Sequence, residues 1–323
     1  MTDAPVGPPV TAPPTVPGRR IRGVSAVLLP MEDDGTIDWV GWRAHLERTL
    51  AAGLVPAVNM DTGFGPYLAR ADRRRVLAET AARTDDFVAG VHLDDSPGDP
   101  LDPDAVVAAT VDVAAAGALP ILFPHHGLAT ATDEQVVAVH RTLGERIDRV
   151  LAFELGPMFH PAGRIFTDEV FEAVLGIDAV VGAKHSSLRR EVEWSRVRAR
   201  DRLRPEFALM TGNDLAIDLV VHGVDYLLGL STFDPEAFAA RDAAWEAGDE
   251  ARFWELNDVL QYLGQFAFRA PVPAYRHDAA MLLHLRGQLG SASTHPRSPR
   301  RPDSDGAVLA DIAARLDAAL GRC

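Results

Sequence analysis

Lys184 is the only lysine in a chain that carries 32 Lys and Arg residues together. Arginine keeps its proton in a protein, whereas a lysine taken out of water can lose it and become an amine nucleophile. Lys184 ends the apolar run Val180-Val181-Gly182-Ala183 and precedes His185-Ser186-Ser187. Desolvation there lowers an ammonium pKa from about 10.4. A neutral amine attacks a ketone or aldehyde and forms a Schiff base, which then acts as an electron sink. The alternative is that a bias toward arginine spared one position.

Glu154 sits at the end of another apolar run and could move protons to and from such an adduct. Alternatively it pairs with Lys184, which would raise the lysine pKa and oppose the nucleophile, or it forms a buried structural ion pair. His125-His126, His160 and His185 raise the question of a metal. Adjacent histidines in an extended chain point to different sides, and neither His-x-His nor His-Glu-x-x-His occurs, so no metal site is expected. His185, next to Lys184, is expected to point outward toward a helix layer.

These residues need elements that bring them together. Apolar runs read as strands at Ile21–Pro30, Leu54–Met60, Phe87–Leu93, Leu119–Phe123, Arg149–Leu155, Ala179–Lys184, Phe207–Thr211 and Val224–Leu230. Between them lie helical stretches at 38–52, 70–83, 103–116, 132–146, 168–176, 188–202 and 215–222, with an eighth at 235–268. Eight alternations with no Gly-x-Gly-x-x-Gly opening predict an α/β fold, a (β/α)8 TIM barrel with a C-terminal helical extension. An open doubly wound sheet is the alternative. The divisions expected are a Pro-rich disordered or extended tail over 1–20, a barrel core over 21–235, and the last barrel helix with the extension over 236–323. In such a barrel reacting groups stand at the C-terminal ends of strands. Those ends collect Asp61 and Thr62, His125 and His126, Glu154, Lys184, Gly212-Asn213-Asp214, and Ser231-Thr232.

The net charge of −14 argues against nucleic acid and anionic membranes as partners. Cys323, the one cysteine, allows no internal disulfide and fits a reducing cytoplasm. No apolar stretch is long enough to span a bilayer, and the N-terminus lacks a secretion-signal pattern.

The order of motifs resembles the dihydrodipicolinate synthase/N-acetylneuraminate lyase family of class I aldolases, over about residues 21–320. Gly182-Ala183-Lys184-His185-Ser186-Ser187 is similar to the family's G-[IV]-K-[DE]-[ST]-[ST] segment, whose lysine forms the Schiff base. Thr62-Gly63 with Leu68 resembles its T-T-G-E-x-x-x-L loop, which holds the substrate carboxylate. Gly212-Asn213-Asp214 resembles the G-[DN]-[DE] turn, and Pro271–Arg276 the late [AP]-[VI]-x-[AP]-x-K stretch. The resemblance implies a barrel acting on 2-oxo acids without metal or organic cofactor, as a homotetramer or homodimer. It also shows departures. Asp61 replaces a threonine and would repel a carboxylate placed as in the family, and Phe64 replaces a glutamate. Glu154, in Glu154-Leu155-Gly156-Pro157, takes the position of the proton-relaying tyrosine. His125-His126 replace a tyrosine pair, and Arg164 is a displaced candidate for the family arginine.

The expected function is a Schiff-base-forming lyase or aldolase working through Lys184 and Glu154 on a 2-oxo acid or related carbonyl compound. Asp61, Thr62, Gly63, His125, His126, Arg164, Gly212, Asn213 and Ser231 are the expected substrate-binding residues. The alternatives are a hydro-lyase on a keto-deoxy sugar acid by the same imine, a barrel that only binds a ligand, and a metal-dependent barrel enzyme.

Overall fold

The computed structural model describes residues 11–322. The first half of the expected tail and Cys323 lie outside the described residues. The eight strands are β1 (Gly23–Ala26), β2 (Val55–Val58), β3 (Val88–Val91), β4 (Leu119–Leu122), β5 (Val150–Leu155), β6 (Val180–Ser186), β7 (Ala208–Thr211) and β8 (Asp225–Leu228). They pair in parallel in chain order and close into a barrel, with Gly23 of β1 beside Tyr226 and Val24 beside Leu227 of β8.

The helices follow the same alternation. They are α1 (Trp39–Ala51), α2 (Arg70–Ala81), α3 (Pro103–Ala115), α4 (His126–Thr130), α5 (Asp133–Gly144), α6 (Asp168–Leu175), α7 (Arg190–Leu203) and α8 (Pro235–Glu246). Three more, α9 (Glu250–Ala267), α10 (Tyr275–Leu285) and α11 (Asp305–Leu320), form the C-terminal extension. Caps set several starts. The Asp38 carboxylate accepts the Val40 and Gly41 N–H groups, and Thr132 with Gln135 forms a reciprocal capping box at α5.

Strand alternation builds two separate apolar layers. Val24, Ala26, Ala57, Ile121, Phe123, Leu151, Phe153 and Met210 fill the barrel interior. The intervening residues, among them Val58, Leu122, Ala152 and Ala183, pack against the helices. β6 departs from strict alternation. Val150 pairs with Val180 but Leu151 pairs with Gly182, so Val181 is an extra residue at a bulge. Val181 packs against the interior cluster, yet beyond the bulge Ala183 belongs to the outer layer and Lys184 faces inward.

Three local differences from the sequence reading have physical causes. The stretch 235–268 is two helices, because Gly248 adopts φ +74 between them. The segment 215–222 is a 3₁₀ helix over Ile217–His222, and α9 packs over it. Residues 11–20 are pinned rather than free: Val16 N–H donates to Val221 O at 2.7 Å, and Trp245 Nε1–H donates to Val16 O at 3.1 Å. The short helix α4, directly after β4, had no expected counterpart.

α9 also fixes the loop after β7. Gln261 Nε2 donates to Asp214 O at 3.2 Å, while its Oε1 accepts Ile217 N–H at 2.9 Å. A Cβ on Gly264 would lie 2.4 Å from Asp214 O, so only glycine allows this approach. Gly264→Ala therefore sets a helix-propensity gain of about 1 kcal/mol against an overpacking cost of roughly 1–3 kcal/mol. We expect a net loss of stability in urea unfolding. A variant as stable as the parent, or more stable, would show that this approach is not a constraint.

Candidate functional site

Lys184 stands near the C-terminal end of β6, between Phe153 of β5 and Met210 of β7. It is 4% exposed, and its Nζ lies 4.6 Å from the centre of the Phe153 ring. Among the described residues no carboxylate comes within ion-pair distance of Nζ, and Nζ makes no hydrogen bond. Burial lowers its pKa from the ordinary 10.5, and the carboxylates of Asp61 and Asp214 pull it part of the way back. Gly212 makes room for its stem, because a Cβ there would sit 2.5 Å from Lys184 Cε and 1.9 Å from Ser186 Oγ.

The loop after β2 brings Asp61, Thr62 and Gly63 to the same mouth. It is held by two left-handed residues, Asn59 (φ 53) and Phe64 (φ 59), a conformation that costs energy for non-glycine side chains. Tyr275, from the first turn of α10, reaches back into this loop. Its O–H donates to Asp61 Oδ2 at 2.9 Å, and its oxygen lies 2.7 Å from Thr62 Oγ1. Arg276 braces the same loop through Nη1–H to Asp61 O at 2.9 Å. Its guanidinium lies over the rings of Phe64 and Tyr67. Gly63 needs its small size here, since a Cβ would be 3.1 Å from Val27 O.

Asp214 is the acidic group of the turn after β7. It is buried, and its Oδ1 accepts Leu230 N–H at 2.7 Å. Burial pushes its pKa up to about 7, against the pull of Lys184, and the charge of Asp61 adds to the rise. Phe153 and Tyr275 were not singled out as site residues, and Asp214 was collected at the strand ends but not among the expected catalytic or substrate-binding residues. Asp214 and Tyr275 lie within motifs noticed for other members, and Phe153 was signalled only by the inward-facing series Leu151, Phe153, Leu155.

Five expected site residues, His125 among them, lie elsewhere. Glu154 faces the helix layer, because it alternates with the inward Phe153. Its carboxylate accepts from His185 Nδ1 at 2.8 Å, Arg196 Nε at 3.0 Å, Arg196 Nη2 at 2.9 Å and Phe166 N–H at 3.0 Å. It is thus the buried ion pair, with Arg196 as its partner, and not a group beside Lys184. His185 does point outward, with Nε2 2.7 Å from Ser187 Oγ. Arg164 turns to the end of α4 and bonds Leu128 O, Ala131 O and Asp133. Asn213 donates its amide to Glu193 and accepts Leu215 N–H, so it faces α7 and its own loop. Ser231 is fully buried, with Oγ 2.9 Å from Ser25 Oγ and 2.9 Å from Leu228 O, on the outer face of β1.

The two adjacent histidines diverge. His125 Nδ1 meets Asp95 Oδ2 at 2.7 Å and lines a cavity of about 940 Å³ between α2 and α3 that does not include Lys184. His126 instead approaches His160, with ring centres 6.2 Å apart, and His160 packs edge-on to Phe123. Burial lowers the His160 pKa, and it brings His92, beneath Phe123, down to about 4. Among the described residues no three His, Cys, Asp or Glu side chains form a metal-binding group.

The Glu154 cluster has a pH signature. Burial alone would raise the Glu154 pKa, but His185 and Arg196 outweigh it and hold the carboxyl at about 2, below the ordinary 4.5. A carboxylate with a lowered folded pKa stabilises the fold above the unfolded value and loses that contribution as pH falls through the folded one. We expect Arg196→Met to cost about 3–5 kcal/mol, the range for stranding a buried charge. Glu154→Gln should flatten the loss of stability between pH 4.5 and 2, read by urea unfolding across that range. Parallel pH profiles for parent and Glu154→Gln would refute the assignment.

Several solved structures share this architecture. A dihydrodipicolinate synthase from Thermotoga maritima is 17% identical, with a TM-score of 0.77 over 92% of this chain and 99% of that one. A dihydrodipicolinate synthase from Agrobacterium tumefaciens is 21% identical, with a TM-score of 0.74 over 93% and 99%. YagE, a prophage protein of the dihydrodipicolinic acid synthase family from E. coli K12, is 16% identical, with a TM-score of 0.77 over 92% and 98%, and was solved with pyruvate. At these identities the likeness is one of fold. No curated protein matches the chain in sequence. A family profile does match, across residues 24–293, and by that match the chain belongs to the family described as protein of unknown function (DUF993).

Proposed function

We propose that the protein is a Schiff-base-forming lyase that captures a carbonyl compound on Lys184. The single observation that carries this reading is a buried primary amine with no counter-ion in contact, at the C-terminal rim of the barrel. The Nζ lone pair adds to the carbonyl carbon, the oxygen receives one proton from the attacking nitrogen and a second from the proton carrier, and its departure as water leaves a protonated imine, an iminium. The iminium then draws electrons from the neighbouring carbon, which supports cleavage or formation of a carbon–carbon bond.

Asp214 is the proposed proton carrier. With a pKa near 7 it holds a proton in part of the population at neutral pH, which suits a group that must both give and take one. Glu154, committed to Arg196 and His185, is left out of this scheme. Pyruvate, bound by YagE, marks the substrate chemistry of one neighbour in fold.

Reductive trapping tests the proposal cleanly, because Lys184 is the only lysine. Incubation with a panel of aldehydes, ketones and 2-oxo acids plus cyanoborohydride should add one reduced adduct per chain to the Lys184 peptide. Lys184→Ala should show none beyond labelling of the N-terminal amine. The trapping rate should rise to its plateau at a lower pH than for free Nα-acetyl-lysine, in line with the lowered pKa. Absence of a Lys184 adduct across the panel would end the reading.

A further inference from the structure

The mouth around Lys184 is negatively charged in a way that bears on what it accepts. We propose that the carbonyl compound captured here is uncharged beside its carbonyl carbon, a hydroxylated aldehyde or ketone rather than a 2-oxo acid. This deepens the Schiff-base reading and rests on it.

The first observation is the direction of the hydrogen bonds in the loop after β2. A phenol has one proton, and Tyr275 gives it to Asp61 Oδ2 at 2.9 Å. Thr62 must then donate to the Tyr275 oxygen across 2.7 Å. Both hydroxyl donors thus point along one chain that ends on a carboxylate of the protein itself. A substrate carboxylate arriving there would find its donors already engaged and a like charge in place.

The second observation is the disposition of the charges. The carboxylates acting on the amine are Asp61, after β2, and Asp214, after β7. A neutral amine balances no charge, so a substrate carboxylate would meet Asp61, and Asp214 in its ionised fraction, with no cation in contact to offset them. Arg276 and Arg164, the two guanidiniums of the motifs around this site, are already engaged: Arg276 holds Asp61 O and Pro273 O, and Arg164 holds the end of α4. Burial lowers the pKa of His160, on which Asp61 acts, so it is a neutral imidazole near pH 7. Among the described residues the mouth therefore offers carboxylate acceptors and a neutral imidazole. Hydroxyl groups satisfy both, donating to the former and exchanging hydrogen bonds with the latter. A carboxylate can accept only from an imidazole N–H and faces repulsion from the carboxylates.

Hydroxyacetone and pyruvate provide the test, since they match in size and differ in replacing CH₂OH by a carboxylate. Each is trapped on the full-length protein with cyanoborohydride, and each rate is divided by that for free Nα-acetyl-lysine. The normalised rate for hydroxyacetone should exceed that for pyruvate by about tenfold or more, the usual scale for a like charge placed at a site. Asp61→Asn should narrow the ratio to within about threefold by accelerating pyruvate. Tyr275→Phe removes the donor but leaves the Asp61 charge, so its ratio should stay near that of the parent.

Equal or faster trapping of pyruvate by the parent protein overturns the proposal while leaving the Schiff base intact. So does a folded Asp61→Asn variant with an unchanged ratio. If that variant does not fold, the comparison in the parent protein decides. No adduct at Lys184 with either compound overturns the Schiff-base reading, and this proposal with it.

Discussion

One extra residue in β6 determines which way the amine faces. Side chains on a strand alternate, so a shift of one position exchanges the two faces for everything beyond it. Val181 packs against the barrel interior, and strict alternation from there would send Lys184 outward into the helix layer. The bulge at Val181 resets the count, and Gly182 permits it, since a Cβ there would lie 2.4 Å from Ala208 O. Lys184 consequently faces the interior, beside Phe153, and His185 faces outward, beside Glu154.

That reversal separates two sets of charges that would otherwise annul each other's purpose. Without it Lys184 would share the outer face with Glu154, which could pair with it, raise its pKa and keep it an ammonium. Outside the barrel Glu154 meets Arg196 and His185 and ties β5 and β6 to α7. The stable ion pair and the uncompensated amine lie on opposite faces of the same two strands, one residue apart. The rigidity of the outer pair helps fix the inner face, because both belong to the same short stretch of backbone.

The barrel was legible in the sequence because its signals are local: apolar runs of strand length, helix caps, and glycines closing helices. The inner face of the site was only partly legible. Lys184 stood out by its uniqueness, and the loop Asp61-Thr62-Gly63 by its order in the chain. Glu154 was misplaced because counting back from Gly156-Pro157 aligns a motif but carries no information about strand face. Asn213 was chosen over Asp214 from the same turn, although only the carboxylate reaches the charge environment of the amine. Arg164 and Ser231 were expected to bind substrate because the partners they bond, the carbonyls of α4 and Ser25, are distant in sequence. Tyr275 shows the limit best: it acts 214 residues away from Asp61, a contact that no local pattern encodes.

The C-terminal extension therefore does more than cover the outside of the barrel. α9 clamps the loop that holds Asp214, and the first turn of α10 supplies the phenol that orients Asp61. Both carboxylates that act on Lys184 thus depend on helices that follow the last strand. A barrel ending after α8 would keep the amine but leave Asp61 and Asp214 without the contacts that aim them. Since these carboxylates offset part of the burial that lowers the amine pKa, the extension is part of the electrostatics of the mouth. Its packing on α8 and α9 through Leu309, Ile312 and Leu316 is the structural support for that role.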